Sequence, residues 1–167
     1  STTQATHSAP DASGVKATDN ELRHWHFIFH MEYSGCSNQS GLTTTRSMVG
    51  CTRLASTPTH GGSAGMLLLL RQSIPENYNV YYNGWDRSDR GSAWGISLHH
   101  PQGDYMKIST YTRPLAAATF YGENGLEGAA HAHWNAVFAR TANGHGVTEV
   151  GSSGAPLFNS DKRIIGS

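Results

Sequence analysis

The chain has 167 residues, enough for one domain or two small lobes with a substantial core, so disorder throughout is excluded. Twelve Lys and Arg balance twelve Asp and Glu without any run of like charges, which argues against a nucleic-acid partner or a charged membrane surface. The longest apolar run, Met66 to Leu70, is far shorter than a bilayer requires, and residues 1 to 20 are polar.

Nineteen glycines, a low content of charge and many Thr, Ser, Tyr and Trp residues describe an all-β, loop-rich chain. The opening polar stretch reads as loop or a short turn of helix. "RHWHFIFHMEY" alternates as a strand does, with Trp25, Phe27 and Phe29 on one face and His24, His26, Ile28 and His30 on the other. "TRSMVGCTRLAS" predicts a strand with a bend at Gly50, and "GMLLLLRQ" a strand buried on both faces or nearly so. "YNVYYNGW" predicts another, ending at an Asn-Gly turn. "AWGISLHH", "YMKISTYT" and "HAHWNAVFAR" follow, and "APLFN" pairs back on "RIIGS". Eight or nine short strands divided by turn residues indicate a sandwich or barrel.

Cys36 and Cys51 bracket a polar segment between strand-like runs. A disulfide there would close a loop of about 15 residues, worth on the order of 3 kcal/mol, and would imply an oxidising compartment; two core thiols are the alternative. Histidines raise the question of zinc. His24, His26 and His30 would share a strand face and His131 and His133 form a second His-x-His pair, yet neither has a carboxylate at ligand spacing, so no metal or other cofactor is expected. "HGGSAG" lacks the Lys and following helix of a phosphate loop and reads as a turn. Tyr81, Tyr82 and Trp85 could stack on a sugar ring, although alternating aromatics in a strand more often pack a core.

The segment "GVTEVGSSGAPLFNSDKRIIG", residues 146 to 166, places two serines between glycines ahead of Ala-Pro. A hairpin turn explains it; so does a nucleophilic serine on a tight turn whose backbone N–H groups converge on an oxyanion. Together with "YYNGWDRSD", "SLHHPQGDYMKIS" and "HWNAVFARTANGHG", this segment resembles the bacterial lysyl endopeptidase branch of the trypsin-like serine peptidases. That branch carries a Gly-Trp-Asp-Arg turn, a His-His-Pro-x-Gly-Asp segment, a Lys/Arg-Ile-Ser strand and Gly-Val-Thr-Glu-x-Gly-Ser-Ser-Gly-x-Pro, in this order.

The resemblance implies an all-β, trypsin-like architecture of two β-barrel lobes, residues 1–75 and 76–167. It implies Ser153 as nucleophile, the N–H groups of Gly151 and Ser153 as the oxyanion hole, and His7, in "TQATHSA", as general base. Phe120 and Tyr121 fall where the branch places an aromatic near the substrate, with core packing as the other reading. It further implies a peptide or protein substrate and a secreted or periplasmic setting. Lysine specificity belongs to the branch, but the acidic pocket residue that would confer it is not among these residues.

Two departures stand out. The family pattern Ser-Asp-x-x-Leu-Leu is matched by "SAGMLL", so Ala64 occupies the position of the triad Asp, and no Asp lies between Asp19 and Asp86. Losing that carboxylate in related triads costs roughly four orders of magnitude in turnover. His60 or Ser63 is a remote substitute. The barrels are also expected to be incomplete at both ends, as in a fragment or a chain completed by a second polypeptide. The competing expectation is a catalytically inactive homologue that binds a peptide or protein; a sugar- or zinc-binding sandwich ranks third.

Overall fold

The structure, a computed structural model, describes residues 17–37 and 41–167. The fold is all-β: among these residues the α-helical content is one short helix, α1 (Asp19–Leu22). Thr18 and Glu21 form a capping box around it, each side chain accepting from the other's backbone N–H, so a four-residue helix persists despite its length. Its purpose is packing, for Leu22 is fully buried.

The strands of the first half are β1 (His26–Phe29), β2 (Arg46–Val49), β3 (Cys51–Ser56) and β4 (Met66–Leu70). β1 pairs antiparallel with β2, and β3 with β4. The period of two turns Phe27 and Phe29 inward, where they join Leu22, Met48 and Cys51 in one apolar cluster. Leu68, Leu70 and Tyr78 pack against it, with the Phe29 and Tyr78 rings edge to face at 5.4 Å. The bend expected at Gly50 separates β2 from β3, at φ +88°.

The second half contains β5 (Gly95–His99), β6 (Lys107–Tyr111), β7 (Ala116–Ala118), β8 (His133–Asn135), β9 (Arg140–Thr141), β10 (Gly144–His145), β11 (Leu157–Phe158) and β12 (Ile164–Gly166). Its main sheet has the order β12-β11-β5-β6, antiparallel throughout. β5 and β6 are joined by a 3-10 turn at Pro101–Gly103. Inward positions alternate along β5, burying Gly95, Ser97 and His99, while β6 contributes Ser109 and Tyr111. The Tyr111 hydroxyl donates to Phe158 O at 2.8 Å, crossing over β5 to reach β11. Gly95 makes this crossing possible, because a Cβ there would collide with Phe158 O and with the Tyr111 phenol.

Several expectations change. "YNVYYNGW" forms no strand; only Trp85 makes an isolated parallel bridge, to Ile164, and Tyr81, Tyr82 and Trp85 stand exposed. It meets the main sheet at the edge strand β12, around Ile164, where Asp86 N–H donates to Ile164 O and Ile164 N–H to Gly84 O. β4 is buried on one face only: it belongs to a two-stranded sheet, and Leu67 and Leu69 point away from the cluster at 59% and 56% exposure. "HAHWNAVFAR" breaks into β8, a bridge of Phe138 to Tyr111, and β9. Among the described residues no sheet closes into a barrel. Residues assigned to the two lobes do touch: Met106 N–H donates to Met31 O, and Gly61 N–H to Glu127 O, at 2.9 and 2.8 Å.

Gly95→Ala should lower the stability of the whole chain by about 1–3 kcal/mol, the range for forced overpacking. Urea unfolding followed by tryptophan fluorescence reads the effect, and an unchanged midpoint would show that the Tyr111 crossing is not tight.

Candidate active site

Residues 149–156 form two successive tight turns. Ser152 N–H donates to Glu149 O at 2.9 Å and Ala155 N–H to Ser152 O at 3.1 Å. Gly151 and Gly154 both adopt left-handed conformations, φ +96° and +78°, which explains why glycine stands on either side of the serine pair. Gly151 is held against the 3-10 turn after β5: a Cβ on it would come within about 3.0–3.1 Å of His100 O, Gln102 N and Gly103 N. Gln102 N–H closes the contact by donating to Val150 O at 2.6 Å.

The two serines face opposite ways. Ser153 is exposed, and among the described residues neither its hydroxyl nor its amide has a hydrogen-bond partner. Ser152 is buried and its Oγ lies 2.8 Å from His99 Nδ1, while His99 Nε2 lies 2.8 Å from Ser109 Oγ. Glu149 N–H donates to Ser152 Oγ at 3.3 Å, leaving that hydroxyl its proton and one lone pair for the contact with Nδ1. With the ring proton on Nε2, Ser152 donates to Nδ1 and Nε2 donates to Ser109.

Burial pushes the His99 pKa below the ordinary 6.5, the neighbouring His100 adds to this, and Glu149 opposes it. The fold therefore favours the neutral ring. Because the folded pKa is depressed, the associated stability is fully present above about pH 6.5 and is lost as pH falls through the folded value. A cleft of about 680 Å³ opens beside the ring, bordered by Tyr33, Cys36, Lys107, His145 and Glu149.

Gly151 and Ser153 thus sit together on one turn. His7 lies outside the described residues. Ala64 occupies a separate loop, at φ +56°, which Thr57 closes by bonding Ser63 Oγ and receiving Gly65 N–H. This loop meets the segment carrying Phe120 and Tyr121, since Ala129 N–H donates to Gly62 O at 2.9 Å beside Gly61 on Glu127. Phe120 lies 5.8 Å from the His133 ring, and Tyr121 is exposed and bridges to Glu127. Neither is a core residue. Ser63 is engaged with Thr57, and His60 is exposed.

Cys36 and Cys51 do not form the expected bridge. Cys51 points into the apolar cluster, where Leu22 O is its acceptor at 3.6 Å, while Cys36 is exposed at the cleft. The strand periodicity that buries Cys51 puts its sulfur among Leu22, Phe27, Phe29 and Met48, while Cys36 stays on the surface. Nor do the histidines share a face: His24 follows α1, His26 is exposed on β1, and His30 leaves the strand at φ +58° to bond Glu32 and Tyr78 O. Among the described residues no group of three or more His, Cys, Asp or Glu is placed to hold a metal ion.

Sequence reading missed His99, Ser152 and Ser109. The signal was present in the alternation of "GISLHH", which puts His99 inward with Ser97, and in the doubling of serine at 152 and 153, since adjacent residues in a turn rarely face the same way.

Thiol titration of the native protein should find one prompt equivalent, Cys36, and a second only on unfolding. Burial raises the Cys51 pKa and slows its reaction further. Two prompt equivalents would contradict the burial of Cys51, and none would mean that the two are bridged in solution.

The chain matches the family described as lysyl endopeptidase, C-terminal domain, over residues 3–167.

Proposed function

The chain belongs to the lysyl endopeptidase C-terminal domain family, and on that premise we propose that it is a serine endopeptidase-like domain that performs acyl transfer at Ser153. The observation that carries the reading is the outward-facing Ser153 between two left-handed glycines, its hydroxyl and amide without partners among the described residues. The Ser153 Oγ attacks the carbonyl carbon of a peptide bond and His7 accepts its proton. The N–H groups of Gly151 and Ser153 receive the oxyanion as the tetrahedral intermediate forms. His7 then returns the proton to the departing amine, and water releases the acyl group by the reverse sequence.

The orienting carboxylate is absent, because Ala64 stands where the family pattern has Asp. Without it the imidazolium formed during attack is not stabilised, so turnover is impaired or lost. The division into lobes 1–75 and 76–167, a secreted or periplasmic setting and a peptide or protein substrate belong to this reading. Phe120 and Tyr121 are the aromatics it offers to the substrate. The second reading, a peptide-binding homologue without turnover, is favoured by Ala64 itself.

A fluorophosphonate probe should label Ser153 slowly, with Ser153→Ala abolishing the label. Ala64→Asp should be tolerated, because Asp accepts a left-handed backbone at least as well as Ala. It should raise hydrolysis of a lysyl ester by up to roughly four orders of magnitude. A folded Ala64→Asp protein that neither labels nor hydrolyses would leave the binding reading in possession.

A further inference from the structure

Ser152 has no part in acyl transfer as proposed, yet it is buried and tied through a buried ring to the sheet interior. The ring of His99 is 1% exposed and Ser109 is fully buried, with the backbone at Gly146 lying directly against Ser109. Thus β5, β6 and the serine turn are joined by a line of three side chains, Ser152, His99 and Ser109. The turn has two other anchors, the Gln102 amide on Val150 and the close approach of Gly151 to residues 100–103. Both come from the residues that follow His99 directly.

We infer that His99 is a positioning residue of the proposed acyl-transfer site, holding through Ser152 the turn that presents the Gly151 and Ser153 amides. The inference rests on the reading of Ser153 as nucleophile only for its catalytic consequence; the coupling of ring to turn is a property of the fold. In the Nε2–H form, a neutral His99 accepts the Ser152 proton at Nδ1 and donates to Ser109 from Nε2. A protonated ring donates at both nitrogens, so the Ser152 hydroxyl must turn its lone pairs toward Nδ1 while it still receives Glu149 N–H. Its own proton is then left without an acceptor in a buried place, and the turn must shift to satisfy it.

The charged and titratable groups around this ring are few on each side. His100 follows on its own strand, its ring against Asp104 O, and Glu149 belongs to the turn. β6 brings Lys107, which is paired to Asp104 at 3.3 Å. Across the cleft stand Glu32, Tyr33 and Cys36 from one loop and His145 from β10. Of these, His100 opposes protonation of His99 and Glu149 favours it.

The test follows the backbone amide resonances of Gly151 and Ser153 through the acid range, alongside the rate of fluorophosphonate labelling, in the full chain. In the unsubstituted protein both amides should shift with the protonation of His99, and labelling should fall in step. His99→Asn keeps a polar atom near the place of Nδ1, and therefore the Ser152 contact. Its amides should stay near their neutral-pH positions and lose that acid transition. His99→Gln reaches toward Ser109 instead; its amides should move already at neutral pH, with labelling slowed roughly tenfold. Equal damage from the two variants, or an acid transition of the Gly151 and Ser153 amides that persists in His99→Asn, overturns the inference. If neither variant folds, Ser152→Ala decides: labelling and its pH profile unchanged from the parent chain would overturn it. An unsubstituted protein that never labels removes the proposed chemistry, whereas the positioning role then stands or falls on the amide shifts alone.

Discussion

A buried polar group must find a partner, and in this protein that constraint is concentrated on one imidazole. His99 occupies the inward row of β5 with Gly95 and Ser97, a row that in most sheets would be apolar. Its two nitrogens face two hydroxyls, one on β6 and one on the 149–156 turn. Satisfying the ring therefore requires the strand pair and the turn to be in register with each other. A slip of β5 by one residue would send His99 to the opposite face and leave both serines without it. The Tyr111 hydroxyl on Phe158 O applies the same logic at the other end of the sheet.

The two halves of the chain are held by different means. The first has an apolar cluster of Leu22, Phe27, Phe29, Met48 and Cys51, closed by α1 and by the hairpin of β3 and β4. The second buries few large apolar side chains, Tyr111, Leu115 and Phe158 among them, and depends more on specific hydrogen bonds. Apolar burial tolerates small displacement, while a hydrogen-bonded line does not. The half that carries the serine turn is the half built on directional contacts.

The serine turn and the loop bearing Ala64 are both tied down by backbone and hydroxyl contacts, but they differ in what their side chains offer: a buried hydrogen-bonded line at one and no ionisable group at position 64 of the other. The loop bearing Ala64 is itself well tied, through Thr57 to Ser63 and Gly65 and through Gly61 and Gly62 to the segment 127–129. The side chain at position 64 takes no part in holding that loop. Scaffold and reactive group are separable because the loop is closed by hydroxyl and backbone contacts, none of which uses the side chain at position 64.

Local patterning was enough to establish the all-β class, the inward Phe27 and Phe29, the bend at Gly50 and the glycine-flanked turn around Ser153. Each depends on near neighbours in the chain: a period of two, or a backbone conformation that only glycine adopts freely. It could not tell that "YNVYYNGW" makes a single bridge at the sheet edge or that β4 has one open face, because strand pairing is decided by contacts between segments far apart in the chain. Nor could it choose His99 from ten histidines or keep Cys51 from Cys36. Those outcomes depend on groups brought together across distances such as the 53 residues between His99 and Ser152, and only the folded chain supplies that proximity.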